Sequence, residues 1–392
     1  MRLLMQHFFR LFFVFFMVIV TSPVLASGNV RIGEAVINFQ SGSIDPETLN
    51  GEISGITINM ADGRTSYADR LTIYSTSDGD TLTLDQLTII NMIMEDYDGS
   101  LAMSQLDWRG LVITGGADNI GVIFSEDFNP ENIAVTGEVI IKGVGFGNNN
   151  GESVSIDEIL VNSIPVSVDA MPDVPLQEGE IQINNLVFVP AADVDYRPEY
   201  DAFLRQIGRE AISSSLTIRG QIDERPDRVN SSSDVLLDVD GMGQVSLELD
   251  IGMPNATLQL LNSMVGLQSA NQEEYMTVLL TGLLFNQSSI VLRDNGLLDV
   301  IMLYQQSQTG MSKDSMVNII MDQLAMTLGL YAPQTYAMAS RPIRSFLQDG
   351  GTLSIEMRPA SPVPATSFLG FAAVPDMAMS VLGIDVRHQP SN

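Results

Sequence analysis

Histidine chemistry has little to work with here, because the sequence holds two histidines, His7 and His388. A serine nucleophile needs an imidazole as its base, and a histidine metal site needs more than one imidazole. His7 falls in an apolar N-terminal stretch, and His388 is expected to be a solvent-exposed tail residue beyond the last strand. Cysteine is absent, which excludes disulfides, thiolate catalysis and zinc–cysteine sites.

Carboxylates are abundant, with 48 Asp and Glu. Two of them a few ångströms apart suffice for glycoside hydrolysis. Against that reading, Trp108 is the sole tryptophan and offers little aromatic surface for stacking on a sugar. Asp238-Val239-Asp240-Gly241 and Ser77-Asp78-Gly79-Asp80 look like calcium loops at first sight, but neither has the alternate ligands and distal Glu of an EF-hand, so both are read as hairpin turns. Gly115-Gly116-Ala117-Asp118-Asn119-Ile120-Gly121 lacks the nonapeptide period of calcium-binding solenoids. Gly143, Gly145 and Gly147 lead into an Asn-rich turn, which does not fit a dinucleotide fingerprint. No catalytic, cofactor-binding or metal-ligating residue is therefore assigned, no cofactor is expected, and the chain is read as a non-enzyme.

Methionine is the compositional oddity, with 21 residues concentrated after position 240. Met264, Met276, Met302, Met316, Met321, Met326 and Met338 share helical stretches with Leu and Val. Core packing is the simpler expectation. The sharper one is an adaptable apolar groove for an acyl chain or a partner helix, since the flexible thioether fits variable apolar shapes.

These residues must be positioned by elements that change character along the chain. Arg2 and Arg10, the apolar run 11–20 and Val24-Leu25-Ala26 read as a secretory signal peptide cleaved after Ala26. Pro23 interrupts a run already shorter than the ~20 apolar residues a membrane span needs. An uncleaved inner-membrane anchor is the alternative. No further membrane span is expected after cleavage. The formal charge of −29 becomes more negative still when the two arginines leave, and repels nucleic acid and anionic membrane surfaces.

Residues 27–192 read as a β-rich, repeat-like domain. Ala68-Asp69-Arg70-Leu71-Thr72-Ile73, Leu84-Asp85-Gln86-Leu87-Thr88-Ile89, Met103-Ser104-Gln105-Leu106-Asp107-Trp108 and Ile156-Asp157-Glu158-Ile159-Leu160-Val161 share one phrase: small or apolar, polar, polar, apolar, polar, apolar. Short strands separated by turns, stacked into a long sheet, are the expectation. Residues 193–254 add a helix at 200–213 and a second sheet, with strands at 216–222 and 235–251 and a turn at 240–243. Residues 255–392 read as a helix-rich module, with helices at 255–265, 273–285, 296–306, 312–330 and 334–347 and strands at 289–292, 352–358 and 383–387. The fold class is α+β: an extended, mainly antiparallel sheet of repeated short strands, followed by that module.

Ser288-Ser289-Ile290-Val291-Leu292-Arg293-Asp294-Asn295-Gly296-Leu297-Leu298, Phe346-Leu347-Gln348-Asp349-Gly350-Gly351-Thr352-Leu353-Ser354-Ile355 and Pro359-Ala360-Ser361-Pro362-Val363-Pro364 resemble a module of exported bacterial proteins. The strand phrase of the first half is similar to that of the YdgA-like and AsmA-like periplasmic proteins. The resemblance implies long β-sheets and, for the AsmA-like group, a role in the envelope and its lipids; it carries no functional residue. The resulting expectation is a non-enzymatic periplasmic protein, or else an extracellular one, whose elongated β scaffold binds or shields lipid or another apolar envelope component. A structural or protein-interaction role in the envelope is the first alternative, and a carboxylate hydrolase the second.

Overall fold

The computed structural model describes residues 28–391 except 33–34, 46–47, 49, 60–62, 79–80, 97–98, 115–132, 164–175, 193, 195–196 and 266–271. The expected signal peptide, Gly79-Asp80 and the 115–121 glycine stretch lie outside the described residues. Two compact units divide the chain: residues 1–174 with 179–198, and residues 175–178 with 199–392. Open antiparallel sheet dominates both, accompanied by helices.

In the first unit the strands are β1 (Gly28–Ile32), β2 (Ala35–Phe39), β3 (Ser41–Ile44), β4 (Gly51–Asn59), β5 (Thr65–Asp78), β6 (Thr81–Asp96), β7 (Gly99–Thr114), β8 (Ile133–Asn148), β9 (Ser153–Ser163) and β10 (Leu176–Val189). From β4 to β10 each strand pairs antiparallel with the next. These strands are longer than the expected short ones: β6, β7 and β8 each run for 16 residues. The chain stays extended through the polar pair of the repeated phrase.

In three of its four copies the phrase marks a parity switch, which β6 makes at Ile90-Asn91; at Asp85-Gln86 the pairing with β5 instead slips by one residue. Leu71 and Ala68, Met92 and Ile89, and Leu106 and Met103 are buried at a spacing of three where an uninterrupted strand would use two. Two consecutive residues therefore point away from the buried face. The neighbouring strands switch together, so Ser54↔Arg70, Arg70↔Ile90, Ile90↔Gln105, Gln105↔Lys142, Lys142↔Glu158 and Glu158↔Asn184 form one row across the sheet. Alternate strands supply a left-handed residue beside this row: Gly55, Asn91, Gly143 and Asn185, with φ of 63°, 51°, 59° and 54°. Gly and Asn are the residues that tolerate that conformation. The strands between supply Asp69 and Asp157, whose carboxylates accept from Asn91 Nδ2 at 2.7 Å and Asn185 Nδ2 at 2.8 Å.

The second unit is built on β11 (Ser213–Glu224), β12 (Arg228–Val239), β13 (Gly243–Pro254), β14 (Leu284–Asp294), β15 (Gly351–Met357), β16 (Val363–Pro364) and β17 (Ile384–Gln389). The sheet runs β11-β12-β13-β14-β15-β17, and β16 pairs with the start of β14. The hairpin expected at Asp240-Gly241 is present: both residues have positive φ and Met242 N–H donates to the Val239 carbonyl at 2.8 Å. Its helices are α1 (Arg197–Gln206, largely in this unit), α2 (Asn255–Val265), α3 (Gln272–Gly282), α4 (Leu297–Thr309), α5 (Lys313–Leu324), α6 (Pro333–Asp349), α7 (Ser367–Ala373) and α8 (Pro375–Leu382).

Several boundaries differ from expectation. The helix expected at 200–213 ends at Gln206, just before left-handed Gly208, and the chain enters β11 at Ser213. The one expected at 273–285 stops at Gly282, and the apolar run continues as strand β14. The helix expected to reach 330 passes at Ala325–Gly329 into a π-helical turn. His388 is not a free tail residue: it lies within β17 opposite Leu353, half-buried, with Nε2 2.8 Å from the Gly350 carbonyl and its ring against Phe346. Among the described residues, no helix is long and apolar enough to cross a membrane.

Candidate functional site

In-register pairing makes the apolar face of each sheet legible as rows. In the first unit one row reads Ile53, Leu71, Ile89, Leu106, Ile141, Ile159, Ile183 from β4 to β10. A second reads Ile73, Leu87, Trp108, Val139, Val161, Ile181, and a third reads Ile58, Ser66, Met94, Leu101, Phe146, Val154, Phe188. Burial falls along all three. Over β4–β6 these side chains are fully enclosed; over β8 and β9 they are half-buried; on β10 Ile181 is 39% and Phe188 38% exposed.

The second unit has the same kind of face. Leu216, Leu237, Val245, Leu292 and Leu353 form one row, and Ile218, Val235, Leu247, Ile290, Ile355 and Val386 the next. Helix α6 covers the β15 and β17 end, where Ala339 and Phe346 pack on Leu353 and Val386. Helices α7 and α8 cover Phe285 on β14 through Phe371 and Leu382. Among the described residues, the clusters around Phe371, Met316 and Phe346 take no residue from β11 or β12, and on β13 Val245 stays 39% and Leu247 38% exposed. Aliphatic side chains at this level of exposure, in contiguous rows, form an apolar surface able to take apolar matter out of water at about 25 cal/mol per Å² covered.

The methionines fall elsewhere. Met302, Met316 and Met321 meet in one cluster between α4 and α5, packed with Val317 and backed by Leu324, Ile343 and Leu347. Met338 packs at the edge of the α6 cluster, and Met264 is buried on α2. Met276 and Met326 are exposed. The structure thus brings together three of the seven proposed groove methionines, in a packed interhelical core. The signal for the rows, by contrast, is the strict alternation of Val235, Leu237 and Val239 and of Val245, Leu247, Leu249 and Ile251; alternation alone does not say which strands a helix will cover.

On the polar face of the second sheet lies a depression of about 110 Å³ lined by Ser232, Asp234, Glu248, Asp250, Gln287, Ser289 and Arg358, among others. Two of its acids are occupied as acceptors: Asp250 Oδ1 takes Asn286 Nδ2 at 2.8 Å, and Glu248 Oε2 takes Ser289 Oγ at 3.1 Å. Its volume is well under the ~300–1,000 Å³ common for small-molecule sites. No group of three or more His, Asp or Glu able to hold a metal occurs among the described residues.

Residues 236–389 match a family model described as "Uncharacterized protein". That stretch begins in β12 and ends with β17, so it spans the covered part of the second sheet and its helices. No curated protein matches the chain.

Proposed function

We propose that this is an exported, non-enzymatic periplasmic protein that binds acyl chains, from lipid or another apolar envelope component, on the uncovered part of its sheet faces. The observation that carries the reading is the partly exposed aliphatic rows: those reaching Ile181 and Phe188 on β10, and Val245 and Leu247 on β13. Each methylene removed from water contributes about 0.8 kcal/mol, so an acyl chain lying across several strands would be held without any polar recognition. The resemblance of the strand phrase to the AsmA-like proteins points in the same direction. So does the strongly acidic composition, which leaves nonpolar contact as the available mode with anionic lipids.

Solvent extraction of the purified chain followed by mass spectrometry tests this reading. Co-purifying lipid or fatty acid, displaced by a fluorescent acyl probe, is the expected result. A clean protein without a displaceable probe site would remove the proposal. The carboxylate hydrolase has the acidic depression as its candidate, but its small volume and its occupied acids leave that reading the weaker one. A structural role at the envelope would show neither extracted lipid nor probe binding.

A further inference from the structure

In the second unit the helices expose large apolar side chains at one particular corner. Asp376, in the first turn of α8, accepts from the Gln334 and Thr335 backbone N–H groups at 3.2 and 3.3 Å, which satisfies the start of α6 and ties the two helices together. That tie sets the start of α6 beside α8, which packs on α7. Along these segments Leu330 is 73%, Tyr331 69% and Leu369 74% exposed, with Met326, Val374 and Met377 also exposed. The packing around them explains the outward aim. Phe368 and Phe371 stack edge to face, and Phe368 stacks in the same way on Phe285, so α7 is anchored and Leu369 is held in solvent.

The charge pattern is as distinctive as the exposure. The whole chain is 17% charged, yet residues 323–340 hold no charged side chain, and residues 359–384 hold only Asp376, already committed to α6. We propose that this corner is a membrane-docking tip that inserts into the interface of an electrically neutral bilayer. Two observations select that occupant. A second copy of a chain with a formal charge of −29 is repelled over a Debye length of about 8 Å, whereas a neutral bilayer is not. A Tyr beside Leu and Met is also the composition that settles at the boundary of headgroup and acyl chain. The tip goes beyond acyl binding on the sheet, and the two can fail separately: either surface could work without the other.

Co-flotation of the purified full chain with phosphatidylcholine vesicles reads the tip. The expected result is that the chain floats with these vesicles, floats less with phosphatidylglycerol vesicles at low salt, and loses at least tenfold in bound fraction in the Leu330→Glu/Leu369→Glu variant. Both positions are exposed, so circular dichroism and the melting midpoint of the variant should match the parent. Tyr74→Glu, at an exposed site in the first unit, should float as the parent does. A parent chain that stays at the bottom of the gradient overturns the proposal. So does a double variant that floats unchanged, or a parent that is a dimer in solution and becomes a monomer in that variant. Acyl-probe binding to the sheet in a chain that does not float would retire the tip alone.

Discussion

Gly143 shows how much of the sheet depends on single positions. Its φ is 59°, and a Cβ there would fall 2.6 Å from Ser104 Oγ, which itself donates to the Lys142 carbonyl. Gly143→Ala should therefore lose about 1–3 kcal/mol from strain and contact together. A urea midpoint checks it, and an unchanged midpoint would contradict the parity-switch account. Asn91 and Asn185 occupy the corresponding place on other strands and add a hydrogen bond to Asp69 and Asp157. The sequence showed these positions only as Gly, Asn and Asp in turn-like company. Their shared row emerges from pairings between strands that lie far apart along the chain, so no local window could display it. His388 was misplaced for a related reason: the final strand extends to Gln389 because β15 offers it a continuous ladder, and the tail alone gives no sign of that partner.

At the scale of elements, the strands were legible in kind and misread in length. At Asp69-Arg70, Ser104-Gln105 and Asp157-Glu158 the polar pair of the phrase mimics a turn, yet the neighbouring strands switch parity at the same place, so the ladder continues. The gradient of burial across one sheet can be tested by truncation. Leu71→Ala, at a fully enclosed site, should cost about 2–5 kcal/mol, whereas Ile181→Ala, 39% exposed at the far end of the face, should cost under about 1 kcal/mol. Equal losses would mean that the face is closed throughout. The helices were the most legible elements, because apolar periodicity and caps are local. The expected helix 255–265 is observed at Asn255–Val265, and Ser312, at the expected start of the helix 312–330, caps α5 by accepting from Ser315 N–H. The role of Asp376 was not legible, since it serves a helix more than 40 residues earlier. Asp376→Ala should lower stability by about 1 kcal/mol, or a melting midpoint lower by about 2–4 °C. An unchanged midpoint would indicate that α6 is satisfied without it.

For the whole molecule, a formal charge of −29 and the absence of cysteine leave the fold to its apolar faces. Raising salt from about 0.01 to 0.15 M contracts the Debye length from about 30 to 8 Å, so the melting midpoint should rise as self-repulsion is screened. A fall would mean that paired surface charges, such as Arg109 with Glu138 at 3.4 Å, outweigh the repulsion. The candidate site was half legible from sequence. The alternation of Val235, Leu237, Val245 and Leu247 marked an apolar face, but whether helices cover it follows from where α6, α7 and α8 pack, at the β14–β17 side. Methionine enrichment drew attention to the helices, where three of those side chains are spent on packing one another.

The most direct measurement is a fluorescence titration of the full chain with an acyl probe, compared with the Val245→Asp/Leu247→Asp variant. Both residues are partly exposed, so the variant should fold, and its circular dichroism should match the parent. Saturable binding by the parent, weakened at least tenfold in the variant, a loss of about 1.4 kcal/mol, is the expected result. Equal affinity in the two proteins, or no binding by the parent, would contradict acyl binding on the open sheet face.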